Sequence, residues 1–232
     1  MSRVPNEGFT AMTPLVRDTE RSFAGTTHPM AILLCRTPQG NFHLGILVAD
    51  DSRTTHTIDL AWEDMVRFDA WQEPWLWAVP EVDDESLAQV RALALRVVAK
   101  WQATRRLPYG LVYGGSTFDP RDGSVCLAPQ GCGLSCATFV LALFETQGIT
   151  LVDEASWPVR QEDDLVWLAG LESLASAPLY QRLSGEIAGG VKRVRPNEVA
   201  AACAVDHERA TFTEVCAHLP AVDSLIDEVF RS

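Results

Sequence analysis

The sequence predicts an α+β domain with an antiparallel sheet, because strand-like segments come first and helical segments follow. Residues 30–36 form a short, continuously apolar run, and residues 42–48 and 54–60 flank a polar, turn-like stretch. These three segments predict an antiparallel meander with a hairpin between the second and third strands. Residues 84–104 and 136–147 carry apolar side chains at helical spacing and therefore predict two helices.

The remaining segments predict how the chain is organised around these elements. Residues 1–27 are polar and contain proline and glycine, so we expect an N-terminal arm that packs loosely. Residues 28–155 hold the predicted sheet and both helices, and we assign them to one main domain. Residues 156–232 show short helical patterns, which predict a C-terminal helical extension, either an accessory subdomain or a helical wrap.

Composition limits the classes of protein to which the chain can belong. Of its 232 residues 47% are hydrophobic and 22% charged, which is typical of a folded globular protein. The net charge of -12 would repel phosphate backbones, so nucleic acid is not an expected partner. We find no apolar run long enough to span a membrane and no apolar core of a signal peptide, so a cytoplasmic location is expected, although leaderless export is compatible with the sequence.

Charge is also unevenly distributed. Residues 59–85 contain many acidic side chains and Arg67 as their only base. Such a stretch is typical of a solvated acidic face, and the alternative is a site for a cationic substrate.

Cys136 lies where a helix is predicted to begin. Ser135 is a candidate N-cap and Gly148 occupies the usual position after a helix C-terminus. Phe139 and Val140 follow Cys136 at helical spacing, which places the thiol on the buried face. The positive end of a helix stabilises a thiolate, so this position suits a nucleophile. The alternative is a buried structural cysteine.

The predicted hairpin carries residues that suit the activation of a thiol. His43 and Gly45 share one face of their strand because side chains alternate. If the turn is centred in the polar stretch, His56 faces Gly45 and lies diagonal to His43. His43 would then be the base that takes the thiol proton, and His56 the group that fixes its tautomer. If the register differs, Asp59 or Thr55 takes the orienting role.

Three segments resemble the NlpC-like papain-fold hydrolases, in the circularly permuted branch that includes lecithin:retinol-acyltransferase-like enzymes. The segments are HLGILVADDSRTTHTIDL, LSCATFVLALFETQGITL and RRLPYGLVYGG. The histidine precedes the cysteine, which is the permuted order, and the likeness covers about residues 28–152. The nucleophile follows GLS instead of the Asn or Asp more usual in the family, and the loop before it is long.

The resemblance implies a permuted papain-like domain with Cys136 as nucleophile, His43 as base and His56 as orienting residue. It implies a thiol hydrolase that cleaves an amide or peptide bond through an acyl-enzyme, with acyltransfer as the alternative, and it implies no cofactor. The expected partner is a peptide, amide or acyl substrate. For Tyr109 and Tyr113 we predict contact with the substrate or its oxyanion, and the alternative is packing.

Several other functions are compatible with parts of the same pattern. Cys126, Cys132 and Cys136 suggest zinc, but their spacing lacks the tight cysteine pair of structural sites, so we expect no metal. Cys132 could instead form a regulatory disulfide with Cys136. No G-x-S-x-G elbow is present for a serine hydrolase. The rival outside catalysis is a binding or immunity module that recognises a protein partner, in which the cysteine is incidental.

Overall fold

A computed structural model describes residues 16–17, 23, 26–37, 39–49, 54–70, 75–205 and 209–230. The fold is mixed α+β with an antiparallel sheet, which confirms the predicted class at that level. Most of the predicted N-terminal arm lies outside the described residues.

The main sheet is built from the predicted meander, extended on both sides. Its strands are β1 (Val16–Arg17), β2 (Met30–Arg36), β3 (Phe42–Ala49), β4 (Thr55–Trp62), β5 (Met65–Ala70) and β6 (Leu76–Ala78). Their spatial order is β1-β6-β2-β3-β4-β5, and each neighbouring pair is antiparallel. The three predicted strands are therefore neighbours at the centre of the sheet.

The described part of the chain forms six α-helices, and a small hairpin lies between the first two of them. The helices are α1 (Asp84–Thr104), α2 (Cys136–Thr146), α3 (Gln161–Ala169), α4 (Ala177–Ala188), α5 (Pro196–Ala202) and α6 (Phe212–Phe230). The hairpin consists of β7 (Thr117–Phe118) and β8 (Val125–Cys126). Helix α1 has the predicted bounds, and α2 begins at the predicted residue.

The register of the β3–β4 hairpin differs from the prediction and changes which residues share a face. His56 lies opposite Val48, three residues along β3 from the predicted partner Gly45. A shift by an odd number of residues moves every side chain of a strand to the other face of the sheet. The prediction that His56 faces Gly45 and lies diagonal to His43 is therefore wrong, and Asp59 shares the face of His43. The stretch predicted as the turn, residues 50–53, lies outside the described residues.

The larger of two apolar clusters joins the sheet to the C-terminal helices. Ile46 of β3, Phe139 of α2, Val199 of α5 and Ile226 of α6 are all buried within it. Helix α5 packs directly on β2 and β3, and α6 packs on α5. The C-terminal third of the chain thus shares its core with the sheet that carries His43. None of the helices in the described part of the chain combines the length and hydropathy of a membrane span.

Candidate functional site

Two buried hydroxyl groups fix the start of the helix that carries Cys136. The Oγ atom of Ser135 accepts a hydrogen bond from the backbone N–H of Thr138 at 3.2 Å, and Thr138 Oγ1 accepts one from the N–H of Ser135 at 2.7 Å. This reciprocal cap places Cys136 in the first position of α2. The first N–H groups of a helix have no partner within it, so they are available to a negative charge near the sulfur.

His43 is held beside Cys136 by a carboxylate from the neighbouring strand. Its Nε2 atom lies 2.9 Å from Oδ1 of Asp59, and both side chains are buried. Because Nε2 faces Asp59, Nδ1 is the ring nitrogen that remains for the thiol. The backbone N–H of Leu44 also donates a hydrogen bond to the sulfur of Cys136. The strand that carries the base therefore also contacts the nucleophile.

The electrostatics of Cys136 and His43 favour a thiolate paired with an imidazolium. Burial disfavours charge on both groups, but the attraction between them exceeds that cost. The imidazolium of His43, its hydrogen bond and the Leu44 N–H hold the pKa of Cys136 below its usual value. Burial opposes protonation of His43, yet the Cys136 thiolate and the Asp59 carboxylate raise its pKa to about 10. The lowered pKa of Cys136 favours the thiolate, which is the nucleophilic form of the sulfur.

Arg67 balances the charge of the carboxylate that orients His43. Its Nε atom donates to both oxygens of Asp59, at 2.9 and 3.2 Å. An arginine that approaches a carboxylate with its planar fork holds the acid in one orientation. Arg67 therefore holds Asp59 at the same Oδ1 atom that faces His43, and its own NH2 atom lies 3.2 Å from Nε2 of His43. Among the predicted alternatives for the orienting role, Asp59 has this geometry.

His56 lies elsewhere in the sheet. Its ring stacks on that of Phe68, with centroids 4.8 Å apart and planes 28° apart. Its strand neighbours are Val48 and Ala70. Thr55, the other predicted alternative, pairs with Ala49 at the end of β3 that is distant from His43. The structure therefore brings neither residue to the imidazole.

The two predicted tyrosines have different positions. Tyr109 is buried beside Trp62, with ring centroids 4.9 Å apart, and lines the same cavity as Cys136. Burial and the nearby thiolate raise its pKa, so the hydroxyl remains a neutral donor. Tyr113 is buried away from this cavity, and burial together with Glu145 raises its pKa. Tyr109 therefore lines the cavity of Cys136, whereas Tyr113 packs outside it.

The cavity at the nucleophile has a volume of about 180 Å³ and draws its walls from distant parts of the chain. His43, Trp62 and Tyr109 line it together with Cys136. The C-terminal third also contributes to the lining, through Trp167, Leu171, Leu174, Arg193, Val194 and Pro196. Sequence reasoning missed this contribution, because no spacing links α3 or the segment before α5 to the nucleophile.

The other cysteines do not assemble around the site as a metal cluster. Among the described residues no group of three or more His, Cys, Asp or Glu side chains could hold a metal ion. Cys126 and Cys132 are exposed, and Cys132 lines a different cavity, together with Glu186. Neither is placed with Cys136 in its cavity.

No protein-family model, curated protein or solved structure matches the chain. The geometry around Cys136 is therefore what bears on the function.

Proposed function

We propose that the protein is a thiol-dependent hydrolase of amide or peptide bonds that works through an acyl-enzyme on Cys136. The observation that carries the proposal is the position of His43. It lies buried between the Asp59 carboxylate and the thiol at the capped start of α2. A nucleophile, a base and a group that orients the base are the parts that this chemistry requires.

The first half of the reaction forms a thioester. The thiolate of Cys136 attacks the substrate carbonyl carbon, and the carbonyl π electrons move to oxygen. The backbone N–H of Cys136, at the helix N-terminus, is placed to donate to that oxyanion. His43 gives its proton to the leaving nitrogen as the carbon–nitrogen bond breaks. The amine departs and the acyl group remains on sulfur.

The second half regenerates the free enzyme. His43, now neutral, takes a proton from a water molecule, whose oxygen attacks the thioester carbonyl. The carbon–sulfur bond breaks, the acid leaves, and the thiolate and imidazolium are restored. Asp59 stabilises the imidazolium at each stage and keeps Nε2 turned away from the substrate. In an acyltransferase an amine or alcohol would take the place of water in this half.

The arrangement of elements supports a permuted papain-like fold for this reaction. The histidine-bearing strand β3 precedes the cysteine-bearing helix α2 in the chain, and α2 packs on β3 and β4. Asp59 on β4 then completes the site from the next strand. We propose on this basis that the chain has the permuted papain-like architecture that its motifs resemble.

Reaction with the activated ester p-nitrophenyl acetate tests the proposal. The wild type should release a burst of p-nitrophenolate equal to the enzyme present and gain one acetyl group on Cys136, located by peptide mass spectrometry. The acetyl group should then be lost to water, or to an added amine if the protein is an acyltransferase. Cys136→Ala and His43→Ala should abolish the burst, whereas Cys126→Ser should retain it.

Two results would contradict the proposal. One is acetylation of Cys136 no faster than that of the exposed Cys126. The other is an unchanged burst in His43→Ala. Either result would favour a binding module in which Cys136 is a structural residue.

A further inference from the structure

A second, larger cavity adjoins the cavity of Cys136. Its volume is about 430 Å³, and it lies between the β2–β3 turn and helix α3. The two cavities share six lining residues, which are Gln39, Asn41, Phe42, Trp167, Arg193 and Pro196. They therefore form one groove that leads from the surface to the nucleophile, and Arg193 lies at the junction.

Arg193 is a buried, rigidly held cation. Its guanidinium lies 3.6 Å from the ring centroid of Trp167, and its NH1 atom donates to Oδ1 of Asp164 at 3.1 Å. About 10% of the side chain is exposed. Guanidinium has five N–H donors, and within the described part of the chain the side chain makes this one hydrogen bond. The remaining donors are available to a ligand in the groove.

The carboxylate that pairs with Arg193 is shared with a second arginine. Oδ1 of Asp164 accepts from Arg193 and from Arg195, which lies 3.4 Å from it, and Arg195 also donates to Asp163. The two arginines and two aspartates balance in formal charge, so Arg193 offers a ligand its unpaired donors. Burial lowers the pKa of Arg193, which shows that its cation is poorly solvated.

We infer that the groove takes a substrate that carries a carboxylate, which Arg193 binds while Cys136 attacks the neighbouring amide carbonyl. The planar fork of arginine fits a carboxylate with two parallel hydrogen bonds. A carboxylate at the junction would satisfy the free donors of Arg193. This inference rests on the proposed function, because it assigns the substrate class of the same nucleophile.

Two alkylating reagents of similar size test whether the groove prefers a ligand that carries a carboxylate. Iodoacetamide is neutral and iodoacetate carries a carboxylate, and with each the Cys136 thiolate forms a sulfur–carbon bond and displaces iodide. We define a selectivity ratio as the iodoacetate rate divided by the iodoacetamide rate, measured at single cysteines by peptide mass spectrometry. At Cys136 this ratio should exceed that at the exposed Cys126 by about tenfold or more, since a hydrogen bond to a charged group is among the strong ones.

Substitutions at Arg193 identify the group that recognises the carboxylate. Arg193→Gln should lower the ratio at Cys136 to that at Cys126. Arg193→Lys retains the charge but loses the planar fork, so it should give an intermediate ratio. Any change in the pKa of Cys136 alters both rates equally and cancels in the ratio. The matched control is Arg91→Gln, because Arg91 is a half-buried arginine that binds the backbone oxygen of Ala49 and lies outside the groove.

Loss of folding can be separated from loss of recognition. Arg193→Gln leaves the buried carboxylate of Asp164 with less compensation, so the double variant Arg193→Gln, Asp164→Asn is measured beside it. Both should show the reduced ratio while iodoacetamide still labels Cys136. Glutarate should also protect wild-type Cys136 from iodoacetamide in a saturable manner, and it should not protect Arg193→Gln.

The outcomes separate this inference from the proposed function. If Cys136 reacts with iodoacetamide no faster than Cys126, the proposed function fails, and the inference fails with it. If Cys136 reacts fast with iodoacetamide but has the selectivity ratio of Cys126, the nucleophile stands and the carboxylate site is overturned. A high ratio that persists in Arg193→Gln would also overturn it.

Discussion

Gly45 and Asp59 face each other across the β3–β4 pair so closely that a Cβ atom on the glycine would lie 2.9 Å from the Cβ of Asp59. The same added atom would lie 2.9 Å from the carbonyl oxygen of Ile58. The missing side chain therefore lets the Asp59 carboxylate cross the strand to reach His43, two residues along β3.

Gly45→Ala should therefore disturb both the sheet and the site. The added methyl group must move β4, and we expect a loss of about 1–3 kcal/mol in the free energy of unfolding, which is typical of overpacking. Alkylation of Cys136 at neutral pH should slow because Asp59 is displaced from His43. Urea denaturation and peptide mapping measure the two effects. Gly185→Ala in α4 is the control, where nothing lies within 4 Å of the added atom and the helix should gain about 0.5–1 kcal/mol.

Asp59→Asn should lower the pKa of His43, because the carboxylate that favours the imidazolium is lost. The thiolate of Cys136 then loses part of its counter-charge, so the pKa of Cys136 should rise. Alkylation of Cys136 at neutral pH should fall about tenfold for each unit by which this pKa exceeds the assay pH. NMR titration of the His43 ring measures the first effect directly. His56→Ala should leave both quantities unchanged, since His56 stacks on Phe68. Equal effects of the two substitutions would contradict the assignment.

The pH dependence of acylation should have a limb set by His43. Because the pKa of Cys136 is lowered, the thiolate forms at a lower pH than in an ordinary thiol, which ionises near 9.0. The imidazolium must donate a proton to the leaving group, so the rate should fall as pH rises through about 10. The burst rate with an amide substrate, followed from pH 5 upward, measures this limb. A rate that rises through pH 9 would show an unactivated thiol.

The same ion pair should shape the pH dependence of stability. Between pH 6.5 and about 10 the folded state holds a proton on His43 that the unfolded state has lost, so stability declines as pH rises. Below pH 9.0 the unfolded state holds a proton on Cys136 that the folded state has lost, so stability increases with pH. Where the two pH ranges overlap, the two effects oppose each other. Between pH 9.0 and about 10 the contribution of His43 alone remains, so stability should decline there, measured by thermal unfolding against Cys136→Ala.

A buried ion pair in the C-terminal third of the chain should contribute strongly to the free energy of unfolding. Glu198 is buried and accepts hydrogen bonds from Arg160, from the Trp157 indole at 3.0 Å and from the N–H of Arg195 at 2.7 Å. Glu198→Ala leaves these donors unpaired and should cost about 3–5 kcal/mol in the free energy of unfolding. Arg121→Ala is the control, because its pair with Asp119 is exposed and should contribute less than about 1 kcal/mol. Urea denaturation distinguishes the two.

Much of the site could be predicted from local pattern. The start of α2 follows from Ser135 as N-cap and from the apolar spacing behind Cys136, and both are properties of neighbouring residues. The strand that carries His43 follows in the same way from its composition. The choice between His56 and Asp59 could not be made, because it depends on the length of the turn and reverses with a shift of one residue.

The sequence by itself therefore determined the α+β class, the central strands, helices α1 and α2, and the positions of Cys136 and His43 within them. Capping, propensity and apolar periodicity act over a few residues and are readable in the chain. The tertiary structure alone decided that Asp59 contacts His43, that Tyr109 and Trp62 line the cavity, and that Arg193 lines the same cavity as the nucleophile. These relations join segments far apart in the chain, and they arise only when the sheet, α2 and the C-terminal helices bury one common core.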